Sequence, residues 1–300
     1  MTTPTVTSDH SILRMSHAAA PVARIAPGDT IRLETADCFA DQITGPADVK
    51  SFDWDSVNPA TGPVFVEGAQ PGDVLAVRIE RVETGGRGIM CTGGGWGVLG
   101  DRIDEMTWRF LEVGAGGARW QGGPRVPLQP MIGVIGVAPA GADVPCGTPG
   151  SHGGNMDTRL IGEGATLYLP VQVSGALLAA GDLHAAMGDG EVAVTGIEVA
   201  GAVTLQVTLR RDLRLHDPVV ETEELVATIA SAATLDEAAG LATHAMADLL
   251  HERLGLDPAE AVMLMSAGGH VRVSQMVDPL RTVRFEMPKA VYEPALGALL

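Results

Sequence analysis

Residues 202–213, AVTLQVTLRRDL, decide how the rest of the chain is read. Val203, Leu205, Val207 and Leu209 alternate with Thr204, Gln206, Thr208 and Arg210, and a period of two sends the two sets to opposite faces of an extended strand. Working outward, GDTIRLET (28–35), GDVLAVRIERVE (72–83), PMIGVIGVAP (130–139), ATLYLPVQV (165–173) and EVAVTGIEVAG (191–201) show the same alternation or β-branched runs between turn signals. The chain therefore reads as sheet-rich. APGDT (26–30) and QPGDV (70–74) place the same Pro-Gly-Asp turn before a strand, with Pro presetting φ and Gly supplying the positive φ of a type II turn.

The character changes near residue 219. PVVETEELVATIASAA (218–233), TLDEAAGLATHAMADLLHERLGL (234–256) and DPAEAVMLMSAGG (257–269) read as helices, with Thr234 or Asp236 as N-caps, Pro258 at a helix start and Gly268–Gly269 at a stop. HVRVSQMVDPLRTVRFEMPKAVY (270–292) reads as extended again and returns to the sheet. The expected fold is mainly β, a jelly-roll-like β-sandwich core with a C-terminal helical layer. Residues 1–218 would form the sandwich and 219–300 an α/β portion packed on it, the two making one integrated unit. The glycine-rich segment 84–123, with Trp96, Trp108 and Trp120, reads as a long irregular loop that forms a lid or a site wall, or that the tryptophans staple to the core.

Composition narrows the function. At 46% hydrophobic and 19% charged, 300 residues can bury a large core. The formal charge of −17 repels phosphate backbones and acidic membranes, so nucleic acid and membrane are poor partners. The N-terminus lacks an apolar core of signal-peptide length and no run reaches a membrane span, from which a cytoplasmic location is expected. Cys38, Cys91 and Cys146 are odd in number and widely spaced, which suggests neither a disulfide framework nor a thiolate zinc site. Lys50 and Lys289 are the only lysines, so a lysine-dependent mechanism has just two candidates. TGGGWG (92–97) lacks the Gly-Lys-Ser/Thr ending of a phosphate loop, and His244, Asp248 and His251 read as a solvated helix face.

Two stretches carry chemistry. SHGGNMD (151–157) gathers His152, Asn155 and Asp157 about a Gly-Gly pair, and GDLHAAMGDGE (181–191) brings Asp182, His184, Asp189 and Glu191 together without a lysine or arginine. On an extended segment Asp182 and His184 project the same way. Two imidazoles with several carboxylates suit zinc or a similar borderline divalent ion. The plainer alternatives are that His152 and Asp157 cap turns and that GDGE is a hydrated tight turn.

These stretches, with GDTIRLETADCFADQI, NPATGPVFVEGAQPGDVLAVRIERV, IGVIGVAP and the C-terminal VRVSQMVDP, resemble the acetamidase/formamidase family from about residue 10 to 295. The resemblance implies a β-sandwich-based fold with an added α/β portion, hydrolysis of short aliphatic amides to carboxylate and ammonia, a metal-containing site, and self-association into a homo-oligomer, dimer or higher. It implicates Glu34 and Asp37 in LETAD, Asn58 in NPATGP, His152, Asn155 and Asp157, and Asp182, His184 and Glu191. Amide hydrolysis needs an activated water, a stabilised oxyanion and a proton for the leaving nitrogen. We therefore expect a divalent ion, zinc with calcium as the alternative, on Asp37, Asp182 and His184, with His152 a further candidate ligand or catalytic group. Glu191 or Glu34 would move the proton, and Asn58, Asn155 and Asp157 would hold the substrate. The competing reading is a non-catalytic sandwich that binds a small ligand and carries a structural metal.

Overall fold

The computed structural model describes residues 3–120 and 122–300. Gly201–Arg210 lies antiparallel between Thr30–Thr35 and Val74–Thr84. This nine-stranded sheet runs on through Thr166–Pro170, Val219–Glu221, Leu225–Ala232 and Arg281–Pro288 to His270–Gln275 at its edge. In a second, eleven-stranded sheet, Leu178–His184 is hydrogen-bonded to Met131–Gly136, Ala60–Val66 and Glu198–Val199.

The alternation in the sequence explains the layers. Leu75 and Val77 join Leu205 and Val207 in a core shared with Ile132, Ile135, Leu178 and Leu183 of the other sheet, so the two sheets pack face to face. The intervening Val74 and Ala76 belong to a second core, formed with Ala242, Met246, Leu249 and Leu250 of helix α1 (Leu235–Leu254) and with Met265 of helix α2 (Pro258–Gly268). One strand thus feeds a sandwich on one face and a helical layer on the other. A third helix, α3 (Lys289–Leu296), closes the chain. Thr234 caps α1, its Oγ1 accepting from Glu237 N at 3.2 Å, and Asp257 caps α2 ahead of Pro258. No helix among the described residues is long and apolar enough to cross a membrane.

Three local expectations are corrected. Residues 218–233 form strands Val219–Glu221 and Leu225–Ala232 rather than a helix. They lie where the sheet is covered on both faces, with Val219 and Val226 toward the helices and Val220 and Ala227 toward the other sheet. A strand buried on both sides loses its polar alternation and is hard to tell from a helix. Segment 84–123 is largely a meander of Arg87–Thr92, Thr107–Gly114 and Gly117–Arg119, not one irregular loop. Residues 191–197, expected as part of a strand over 191–201, are irregular; within 191–201 Glu198–Val199 pairs, and Gly201 opens the next strand.

Candidate active site

The strand Leu178–His184 is buried throughout and ends in the site. Asp182 and His184 project together as their spacing predicts, with Asp182 Oδ1 3.6 Å from His184 Nε2. Register supplies a third member, because Glu198 is the cross-strand partner of His184 and brings Oε2 to 3.1 Å from Nε2. Asp157 follows the short strand Gly153–Asn155 and puts Oδ1 3.7 Å from the same nitrogen. Glu191 Oε1 stands at 4.0 Å. One imidazole, 1% exposed, is therefore ringed by four buried carboxylates.

Small residues make the approach feasible. A Cβ on Gly133 would meet Asp157 Oδ1 at 2.5 Å and Asp182 Oδ2 at 2.8 Å, so the two carboxylates rest against bare backbone there. Asn58, Asp157, Asp182, Glu191 and Val194 all have positive φ, a costly region for residues other than glycine. Such conformations persist only where surrounding structure over-determines them. At Glu191 that structure is visible. Arg284, 2% exposed, grips Asp189 with two hydrogen bonds of 2.9 and 2.8 Å, and Gly190 N donates to Ser274 O at 2.8 Å. The C-terminal strands thus hold the turn that presents Glu191.

Burial sets the protonation. It pushes Glu198 up to about 8, with the His184 charge opposing and Asp182 adding to the rise. Asp157 is raised to about 6, again by burial against the pull of His184. Burial followed by repulsion from Asp157 raises Glu191 and Asp278 well above the usual carboxylate range. For His184, burial alone would lower the pKa, but Glu198 and Asp182 overcome it and hold the imidazole well above its ordinary value.

Of the residues nominated from sequence, Asp157, Asp182, His184 and Glu191 meet around one point, while Asn58 and Asn155 line the cavity beside them. Asn155 Nδ2 donates to Asp278 Oδ2 at 3.1 Å. Three nominations lie apart from this group. Asp37 spends Oδ1 on the backbone amides of Phe39 and Asp41, closing its own turn, and joins neither group of converging donors. Glu34 is half-exposed and lies 3.8 Å from Arg32, so it sits on the sheet surface away from the cavity. His152 is buried against Gly150 and Gly154 of its own turn, where burial lowers its pKa to about 4, and it does not line the cavity.

The sequence reading missed Glu198 and Asp278. Glu198 was hidden because its role follows from strand register, which one sequence does not reveal. Asp278 is fixed by Gln275, whose Oε1 accepts from the amides of Val277 and Asp278; it lies in VRVSQMVDP, a stretch that carried the resemblance but no second ligating residue beside it. Asp189 turns out to be the partner of Arg284 rather than a site group.

The residues fit a divalent cation. Asp157 Oδ1, Asp182 Oδ1, Glu191 Oε2 and Glu198 Oε2 are buried acceptors without a hydrogen-bond partner, and such groups are costly unless something pairs them. Asp157, His184 and Glu191 each offer an atom within 4.8 Å of the others, as do Cys38, Asp182 and Glu198. The cavity in front has a volume of about 680 Å³.

The fold is a two-sheet sandwich with a helical outer layer and a buried imidazole–carboxylate centre. A sequence profile of the Acetamidase/Formamidase family matches residues 4–145 and 141–294. The chain belongs to that family. It is 47% identical to a solved structure described as a predicted acetamidase/formamidase from Thermoanaerobacter tengcongensis, covering 98% of each chain with a TM-score of 0.96. It is 46% identical to an acetamidase from Bacillus halodurans, covering 98% of this chain and 100% of the other with a TM-score of 0.95. The formamidase of Methylophilus methylotrophus is 28% identical over 251 residues, which are 64% of this chain and 62% of the relative. The match thus spans less than two thirds of that relative's length.

Proposed function

We propose that this chain hydrolyses short aliphatic primary amides, of the formamide and acetamide type, to the carboxylate and ammonia with water activated by a divalent ion. The single observation that supports this most is the ring of four buried carboxyl groups that share one imidazole, with oxygens of each making no hydrogen bond. His184, Asp182 and Asp157 are the proposed ligands. An imidazole among carboxylates favours zinc over calcium, which prefers oxygen alone. When bound, such an ion lowers the pKa of water from 15.7 toward roughly 7 and polarises a carbonyl oxygen. Glu191 lines the cavity and is assigned the proton transfer from the attacking water to the leaving nitrogen. Glu198 Oε2 stands 3.1 Å from the same His184 nitrogen and is a further proposed ligand. Asn58 and Asn155 line the same cavity and orient the amide NH2 and carbonyl, so that analogues unable to pair with them are rejected.

The test is ammonia release from formamide, acetamide and propionamide by purified protein of measured metal content, before and after chelation. Turnover that is lost with the ion and returns with zinc supports the reading. If metal-loaded protein turns over none of them, it binds a small ligand around a structural ion instead, and full activity in ion-free protein refutes the metal. The same reading includes a cytoplasmic location and a homo-oligomer, the latter checked by sedimentation equilibrium of the purified chain.

A further inference from the structure

The cavity is far larger than the substrates named above. Acetamide has four heavy atoms and occupies on the order of 100 Å³, judged against about 30 Å³ for a water molecule, whereas the cavity holds about 680 Å³. Its wall is of two kinds. Asp182, Glu191 and Glu198 are buried members of its lining, Trp54, Trp96 and Pro279 are exposed ones, and Phe39 is buried. Trp54 and Trp96 stack with ring centroids 5.2 Å apart and planes at 14°, and each remains 42% exposed. Behind them Phe52 and Trp108 close an aromatic box, Phe52 4.4 Å from Trp54 and Trp108 5.2 Å from Phe39.

This wall is attached to the catalytic turn. Gly95 and Gly97 flank Trp96 with φ of 80° and 73°, and Val98 N donates to Val192 O, one residue beyond Glu191, at 2.9 Å. Arg14 and Asp55 also reach the cavity, but the Arg14 guanidinium donates to Asp143 O and so is already engaged. Half-exposed indoles contiguous with a polar pocket favour an apolar, flat group over water.

We infer that this wall is a subsite for an aromatic acyl group, so that the chain hydrolyses primary amides of the phenylacetamide type in preference to acetamide. This rests on the amidase reading above. The chemistry is unchanged: the C–N bond breaks, water supplies the oxygen of the new C–O bond, and nitrogen leaves as ammonia carrying the proton from water.

The experiment compares kcat/KM of zinc-loaded protein for acetamide, isobutyramide, benzamide and phenylacetamide. It also measures tryptophan-fluorescence titrations with phenylacetamide, which need no turnover. We expect phenylacetamide to exceed acetamide by roughly tenfold or more. Trp96→Ala should cut that ratio about tenfold through KM, and Trp96→Phe should restore most of it. Acetamide as the best substrate, or a Trp96→Ala effect equal on both amides, overturns the subsite. If no amide is hydrolysed yet phenylacetamide binds and Trp96→Ala abolishes binding, the subsite stands and the amidase reading fails. Absence of both binding and turnover refutes the subsite.

Discussion

His184 shows what a single residue does in this protein. Its Nε2 is the point toward which Asp157, Asp182, Glu191 and Glu198 converge, so its removal should cost the ion rather than the fold. His184→Ala and Asp182→Asn are expected to lower bound zinc from stoichiometric to near zero by elemental analysis. Glu191→Gln should keep the ion and lose activity by about 10²–10⁴-fold, the usual worth of positioned acid–base catalysis. A Glu191→Gln variant of normal kcat would remove that residue from the chemistry. The raised carboxyls also make a pH prediction for protein stripped of divalent ions. Asp157 and Glu198 move from ordinary values of 3.8 and 4.5 up to about 6 and about 8. The native state therefore holds more protons than the unfolded chain between those limits, and stability must fall as pH rises through them. His184, raised for its own reasons, loses its contribution in the same direction. His152, lowered to about 4, works the other way but only below its ordinary 6.5. The Tm of stripped protein should be lower at pH of about 8.5 than at about 5.5, and zinc should remove most of that difference; a rise with pH would contradict the burial of these acids.

At the scale of elements, the turn that carries Glu191 illustrates how distant strands are recruited. Arg284 on the strand Arg281–Pro288 satisfies Asp189 twice and also donates to Glu286 at 2.7 Å and Ser274 at 3.1 Å. Asp189 is 31% exposed and can be hydrated once the arginine is gone, so the loss falls mainly on buried Glu286 and Ser274, left without their donor, at about 1–3 kcal/mol. Arg284→Ala should therefore lower denaturant stability by that amount, and a loss under about 1 kcal/mol would mean that the turn holds itself. Thr234→Ala at the start of α1 should cost only about 1 kcal/mol, because it deletes one capping acceptor. Helix ends were legible in the sequence for this reason: caps are local. The stretch 219–232 was not, because its burial on both faces comes from α1, α2 and the opposite sheet, none of which is encoded within the stretch itself.

Across the whole molecule, the strands of residues 1–218 and those of 219–300 share one hydrogen-bonded sheet, Thr166–Pro170 pairing with Val219–Glu221. We propose that the two portions unfold as one unit. All four tryptophans precede residue 218, and the three α-helices of the described residues follow it, so intrinsic fluorescence and far-ultraviolet α-helical signal report on different portions. Their urea transitions should coincide; separate midpoints would make the C-terminal portion an independent domain.

Local information alone determined the period-two strands, the Pro-Gly-Asp turns, the capped helices and the pairing of Asp182 with His184, since each depends on contacts within a few residues. It also brought forward Asp157, Asn155 and Glu191, whose small neighbours mark places where side chains crowd the backbone. Only the tertiary structure decided that Glu198 and Asp278 join them and that Asp37, Glu34 and His152 do not. Cross-strand register, and the hydrogen bonds that already occupy an acid, are relations between segments far apart along the chain, which a linear order of residues does not contain.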